Sequence, residues 1–214
     1  MAIANYTDLV AAIAEWLARD DLTARIPDFV TLAEAKFNRL LEHPRMETRA
    51  TLTVDTGATD PEFLDLPTDF QTMRSARLSG VTGKPRLEFM TQTQMDDYRY
   101  SIDNVSDQPV YFSVTGDQIE LAPTPNEDYD VQIVYRANIP ALTASNTTNW
   151  LLTLAPDLYL YGSLLEASPY IQNDDRLAIW GTALQQVLEQ LNNHGDRQSF
   201  NSGPSTITLP GVVP

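Results

Sequence analysis

The sequence contains no cysteine, only two lysines (Lys36 and Lys84) and only two histidines (His43 and His194). Without thiols there is no disulfide framework, no thiolate nucleophile and no cysteine-based zinc or iron–sulfur site. That composition is compatible with folding in a reducing cytoplasm. Positive charge is equally scarce: 14 basic residues stand against 29 acidic ones, for a net charge of −15. Nucleic-acid binders neutralise phosphates with clustered Lys and Arg; although Arg45 and Arg49 lie close together, no such cluster exists here, so a phosphate-binding surface is not expected. The longest apolar run, around Trp150 to Ala155, is far short of the roughly 20 residues that span a bilayer, and Met1 to Tyr6 lack the basic and apolar regions of a signal peptide. The expectation is a soluble protein with no membrane partner. The sequons at Asn5, Asn104 and Asn146 would matter only in a secretory compartment.

What is present is material for a core, since 43% of the 214 residues are hydrophobic. Leu9, Val10, Ile13, Trp16 and Leu17 recur at helical spacing, predicting a helix over Thr7 to Ala18 with Asp8 at its positive end. A second helix should start at Ile26-Pro27-Asp28, with Phe29, Val30, Ala33, Phe37, Leu40 and Leu41 as its stripe and Pro44 as its stop. From Arg49 the period falls to two. Leu52 and Val54 mark a strand, Phe63 to Leu66 a return strand, Met73 to Leu78 an extended segment, and Arg86 to Phe89 a short strand. Thr91 can cap a brief helix that contains Met95 and Tyr98. Val110 to Val114 and Gln118 to Leu121 flank Thr115-Gly116-Asp117, which predicts a hairpin, with Gly116 providing the positive φ. Val131, Ile133 and Tyr135 should face the core from another strand.

Helical periodicity returns over Leu154 to Ala167. It continues over Asp174 to Asn192, with Asn173 or Asp174 as cap, Gly195 as stop and Leu177, Trp180, Leu184, Val187, Leu188 and Leu191 as the stripe. The fold class expected from this layout is α+β. The N- and C-terminal helices, residues 1–48 and 141–195, would form one helical bundle, residues 49–140 a β-rich insertion, and 196–214 an extended C-terminal tail.

Chemistry is sparse. His43 and His194 lie near predicted helix ends, where a cap or surface role is favoured over catalysis. G-x-S-x-G, Walker, G-x-G-x-x-G and H-E-x-x-H motifs are all missing. The doublets Asp20-Asp21, Asp96-Asp97 and Asp174-Asp175 fall at predicted helix boundaries, where Asp caps amides, and adjacent carboxylates on a helix diverge. The sequence therefore predicts no enzyme, no catalytic residues, no metal site and no cofactor. Tyr98, Tyr100, Tyr111, Phe112, Tyr129 and Tyr135 leave a glycan-stacking surface as an alternative to core packing and subunit contacts.

Ile26-Pro27-Asp28-Phe29-Val30, Leu32-Ala33-Glu34-Ala35, Asn38-Arg39-Leu40-Leu41 and Leu66-Pro67-Thr68-Asp69-Phe70 form an ordered series. It continues with Asn149-Trp150-Leu151-Leu152, Pro156-Asp157-Leu158-Tyr159-Leu160-Tyr161-Gly162 and Leu165-Glu166-Ala167. In order and spacing the series resembles the head-to-tail adaptor (connector) proteins of tailed bacteriophages, especially short-tailed ones, from about residue 6 to 190. The resemblance implies a structural virion protein in the neck, assembled in the host cytoplasm. It also implies a ring, commonly of twelve copies, between the portal protein and a tail nozzle or tail tube protein, with DNA passing through the channel without specific binding. The alternatives are another neck or tail-completion protein, or a glycan-binding virion module. The tail, through Phe200, Ile207, Leu209, Val212 and Val213, is expected to contact the portal or a neighbouring subunit, with its prolines keeping the backbone extended.

Overall fold

The structure, a computed structural model, describes residues 3–83, 85–103, 105–171 and 176–200, the side chains of 20 and 196–200 excepted. Contacts divide the chain into two compact units: Met46–Ile139, and the segments on either side of it taken together.

The flanking unit begins with α1 (Tyr6–Leu17). The Asn5 side chain accepts from the Asp8 amide at 3.0 Å, and Leu9, Ala12, Ile13 and Leu17 are buried. A 3-10 segment leads into α2 (Ile26–Leu40), with Pro27 in its first turn. Beyond the sheet unit follow α4 (Trp150–Leu154), α5 (Pro156–Glu166) and α6 (Arg176–Phe200). The helix expected over Leu154 to Ala167 is broken at Ala155, because Pro156 has no amide hydrogen to continue α4 and instead starts α5.

The sheet unit contains β1 (Glu47–Thr53), β2 (Phe63–Asp65), β3 (Phe70–Ser79), β4 (Arg86–Phe89), the helix α3 (Gln92–Ser101), β5 (Tyr111–Thr115), β6 (Gln118–Ala122) and β7 (Asp130–Ala137). Strand order is β1-β7-β3-β4-β5-β6-β2. The two outermost strands, β1 and β2, also lie against each other, so the sheet curls into a near-barrel. Its core is built from Leu78, Leu87, Ile119, Leu121, Val131 and Ile133, all essentially inaccessible. The expected hairpin is present, with Gly116 at φ +58° between β5 and β6. Thr91 caps α3 in a capping box with Gln94. β2 is not a return partner of β1; it pairs with β6, Leu64 opposite Ile119.

The fold-class expectation of one helical bundle bearing a β-rich insertion is therefore corrected. The protein is mixed α/β, with a seven-stranded near-barrel in the middle of the chain and helices at both ends. A bundle needs several comparable amphipathic stripes that share a seam. Here α5 buries residues on all sides, Leu158, Tyr159, Leu160, Gly162, Ser163 and Leu164, and α1, α2, α4 and α6 each pack against it. Of the expected stripe of the long α6, only Trp180 and Leu191 are buried. Gly195 is not a helix stop, because α6 continues to Phe200. A Cβ at 195 would lie 2.9 Å from Pro44 Cδ and 3.0 Å from the Glu42 carbonyl, so glycine is required there for close approach. The extended tail thus cannot begin at 196, and 201–214 lie outside the described residues.

Candidate interaction surfaces

Glu34 on α2 is 5% exposed, and its Oε1 accepts from the Leu142 amide at 2.8 Å and the Tyr159 hydroxyl at 3.0 Å. Asn149 Nδ2 donates to the Tyr159 oxygen and to the Pro140 carbonyl, each at 2.7 Å, while Asn149 Oδ1 caps α4 through the Leu152 amide. This network ties α2 to the chain entering α4 and to α5. Burial raises the Glu34 pKa, opposed by the two hydrogen bonds it accepts, and pushes the Tyr159 hydroxyl up as well. A carboxyl whose folded pKa exceeds its unfolded one favours folding below the unfolded pKa and loses that contribution as pH rises through the folded one. Glu34→Gln keeps an acceptor at the same atom without the charge, so it should be more stable than the wild type at pH 7, with the difference vanishing towards pH 4. Glu34→Ala should instead destabilise by about 1–3 kcal/mol, because a buried amide and hydroxyl lose their acceptor. Urea unfolding of both variants across that pH range checks the pair.

His43 is not a surface residue. It is 5% exposed, stacks on Trp150 at 5.4 Å and faces His194 at 6.3 Å, and its Nδ1 accepts from the Arg45 amide at 3.2 Å. Burial lowers its pKa, helped by the positive charges of Arg45 and His194. The unfolded chain then takes up a proton before the native one. Stability is present above an unfolded pKa of about 6.5 and is lost as pH falls from there through the folded value. The wild type should lose more stability between pH 8 and pH 5 than His43→Phe, which keeps a stacking ring but does not titrate. Equal losses in urea titrations would remove His43 as the cause.

Among the described residues, no group of three or more His, Asp or Glu is arranged to hold a metal. Asp21 pairs with Arg19 through two oxygens at 2.7 and 2.6 Å, and the Asp20 side chain and Asp174-Asp175 lie outside the description. Asp96 and Asp97 sit inside α3, whose cap is Thr91. The aromatics do not assemble into one face. Phe112, Tyr129 and Tyr135 are buried, Tyr98 meets Tyr111 edge-on at 4.9 Å, and Tyr100 stands alone at 91% exposure. Of the expected partner-binding residues, Phe200 ends α6 with its side chain undescribed, and Ile207, Leu209, Val212 and Val213 lie outside the described residues.

The SU10 adaptor protein family matches residues 4–208. The chain belongs to this family. It is a phage adaptor, a structural component of the virion neck that associates with other neck and tail proteins. A comparison with curated proteins gave no match. Two features of the adaptor had no local sequence signal. One is the Glu34 network, whose partners lie more than a hundred positions away. The other is a groove in the sheet unit, where the exposed Phe89 meets Phe112 edge-on.

Proposed function

We propose that the adaptor forms a ring between the portal and the tail nozzle or tube, with twelve copies surrounding the DNA channel. The family match from residue 4 to residue 208 carries this reading, because it takes in the helices and the sheet together. Each subunit would be held by two neighbours and by the adjoining ring at once, so individually weak contacts add up. The net charge of −15 suits a channel wall, since surplus carboxylates repel phosphates and let DNA pass without sticking. Phe200, Ile207, Leu209, Val212 and Val213 would supply contacts to the portal or an adjacent subunit. The helical segments 1–48 and 141–195 would serve as the frame, and the β-rich 49–140 would meet neighbouring subunits. Affinity purification of tagged adaptor from infected cells should recover portal and tail proteins together. Recovery of tail proteins without portal would favour a tail-completion role and contradict the ring position. Binding on a glycan array would support the glycan module instead.

A further inference from the structure

The outer side of the sheet unit gathers arginines that lie far apart in the sequence. Along β7 the residues Val131, Ile133, Tyr135 and Ala137 are buried, so 130, 132, 134 and 136, which alternate with them, face away from the core. Register carries that outward side across the neighbouring strands: Arg49 of β1 lies opposite Val134, Arg77 of β3 opposite Gln132, and Arg86 of β4 opposite Arg77. Arg74 joins them by reaching the outward Glu47 at 3.1 Å. Arg49, Arg74, Arg77 and Arg86 are all exposed, and of these four only Arg74 makes an ion pair among the described residues. The other outward carboxylates of these strands are Glu88 and Asp130, and Asp130 already accepts from the Thr53 hydroxyl at 3.0 Å. Arg77 turns its Nε to the Gln132 side chain at 2.8 Å and so away from Arg86. Like charges directly opposite on paired strands destabilise, and an anionic group laid over the pair offsets that cost.

The far side of the same near-barrel carries the other sign. Tyr111 and Glu120 alternate with the core residues Phe112, Ile119 and Leu121, and α3 covers them, Tyr98 meeting Tyr111 edge-on and Arg99 reaching Glu120. α3 therefore lies outside β5 and β6. β5 is three strands from β7 in a curl of seven whose end strands meet, which is half-way round. The exposed charges of α3 and the turn after it are Asp96, Asp97 and Asp103, while Arg99 is directed inward onto Glu120 and Glu62. Between these acids stands Tyr100, the most exposed large apolar side chain among the described residues and a residue type that anchors protein interfaces.

We propose that the arginine side of one copy is covered by the α3 side of the next, with Asp96, Asp97 and Asp103 laid over Arg49, Arg77 and Arg86 and Tyr100 within the contact. The inference rests on the ring reading and gives its subunit contact a chemistry. Two different surfaces on opposite sides of one unit make a head-to-tail interface, the type that closes into a ring. A second copy is favoured over DNA, because a bare arginine surface on the channel wall would hold the phosphates that a chain of net charge −15 otherwise repels. Opposite charges across the interface also fix the register in which copies meet.

Arg77→Glu with Arg86→Glu should cut the number of adaptor copies per purified particle at least about tenfold, because like charges then face each other. Asp96→Lys with Asp97→Lys should do the same, and the four changes combined in one chain should restore the ring. Arg77→Gln with Arg86→Gln should lose fewer copies and, without the like-charge pair, melt no lower than the wild type, which separates a lost contact from a lost fold. Normal adaptor numbers in either reversed variant, or losses that the combination does not restore, would overturn the inference while images of wild-type particles still show a ring. If the unrestored arginine variant had also lost binding to a duplex DNA fragment that the wild-type adaptor retards in a gel, the surface would belong to nucleic acid. Wild-type images without a ring would overturn the ring reading, and this inference with it.

Discussion

Arg99→Ala is expected to destabilise the sheet unit by about 3–5 kcal/mol, a large share of the stability of an ordinary domain. Arg99 extends from α3 with its side chain 15% exposed, its Nε 2.9 Å from Glu120 Oε1 and Nη1 3.7 Å from Glu62 Oε1. The remaining donors reach the Leu121 carbonyl at 2.8 Å and the Thr124 hydroxyl at 3.0 Å. Truncation leaves the Glu120 side chain, 4% exposed, as a buried charge without its cation. Gln92 Nε2, 2.8 Å from the other carboxylate oxygen, is too weak a donor to compensate. Arg99→Lys should recover only part of the loss, because an ammonium cannot reproduce the fork that reaches two carboxylates, a hydroxyl and a carbonyl. Combining Arg99→Met with Glu120→Gln should recover more, by removing the stranded charge. Trp16, Trp150 and Trp180 all lie outside Met46–Ile139, so tryptophan emission follows the helical unit and circular dichroism the whole chain. A loss under 1 kcal/mol would mean that water replaces the guanidinium, and that the cluster is not a structural tie.

Gly162 should tolerate no side chain, although glycine inside a helix is normally a weakness. Replacing such a glycine by alanine ordinarily stabilises by about 1 kcal/mol. At 162 the new Cβ would lie 2.5 Å from Phe37 Cζ, 2.9 Å from Phe37 Cε1 and 3.4 Å from Ala33 Cβ. Phe37 cannot swing aside, being 1% exposed and packed edge-on against Tyr159 at 5.3 Å. Overpacking of this kind costs about 1–3 kcal/mol beyond the propensity gain, so Gly162→Ala should lose stability and Gly162→Val should lose more. Phe37→Leu should partly rescue Gly162→Ala by vacating the overlap. Gly181, inside α6 with nothing within 4 Å of a built Cβ, is the control: Gly181→Ala should stabilise by about 0.5–1 kcal/mol. If thermal unfolding moved in the same direction for both glycines, close approach of α2 and α5 would not be the reason for Gly162.

The contrast between these glycines illustrates what was legible in the sequence. Features fixed by neighbours along the chain could be read directly: the Gly116 turn, the capping box at Thr91, the alternation of Val131, Ile133 and Tyr135, and α1 with its acidic first turn. Features fixed by distant partners could not. Phe63 to Asp65 reads as a strand, but its pairing with β6 depends on curvature that no local pattern encodes. Gly195 carries the composition of a helix stop, and only the approach of Pro44 and Glu42 gives it another purpose. The periodicity from Leu154 to Ala167 was sound, whereas the break at Ala155 and the all-round burial of α5 turned an expected bundle member into the element that the other helices pack on. The family was legible because its residues recur in order over most of the chain, and it was confirmed by the match from 4 to 208. The groove was not, because it exists only where β4 stops short of the lower half of β3.

The central claim, that this adaptor acts as one member of a ring joining head to tail, is tested most directly by electron cryomicroscopy of the assembled particle. The account predicts a ring at the joint between portal and tail into which copies of the near-barrel and the helical unit fit, and which is missing from particles made without the adaptor. Density for the adaptor away from that joint, or as single copies with no contact between neighbours, would contradict it.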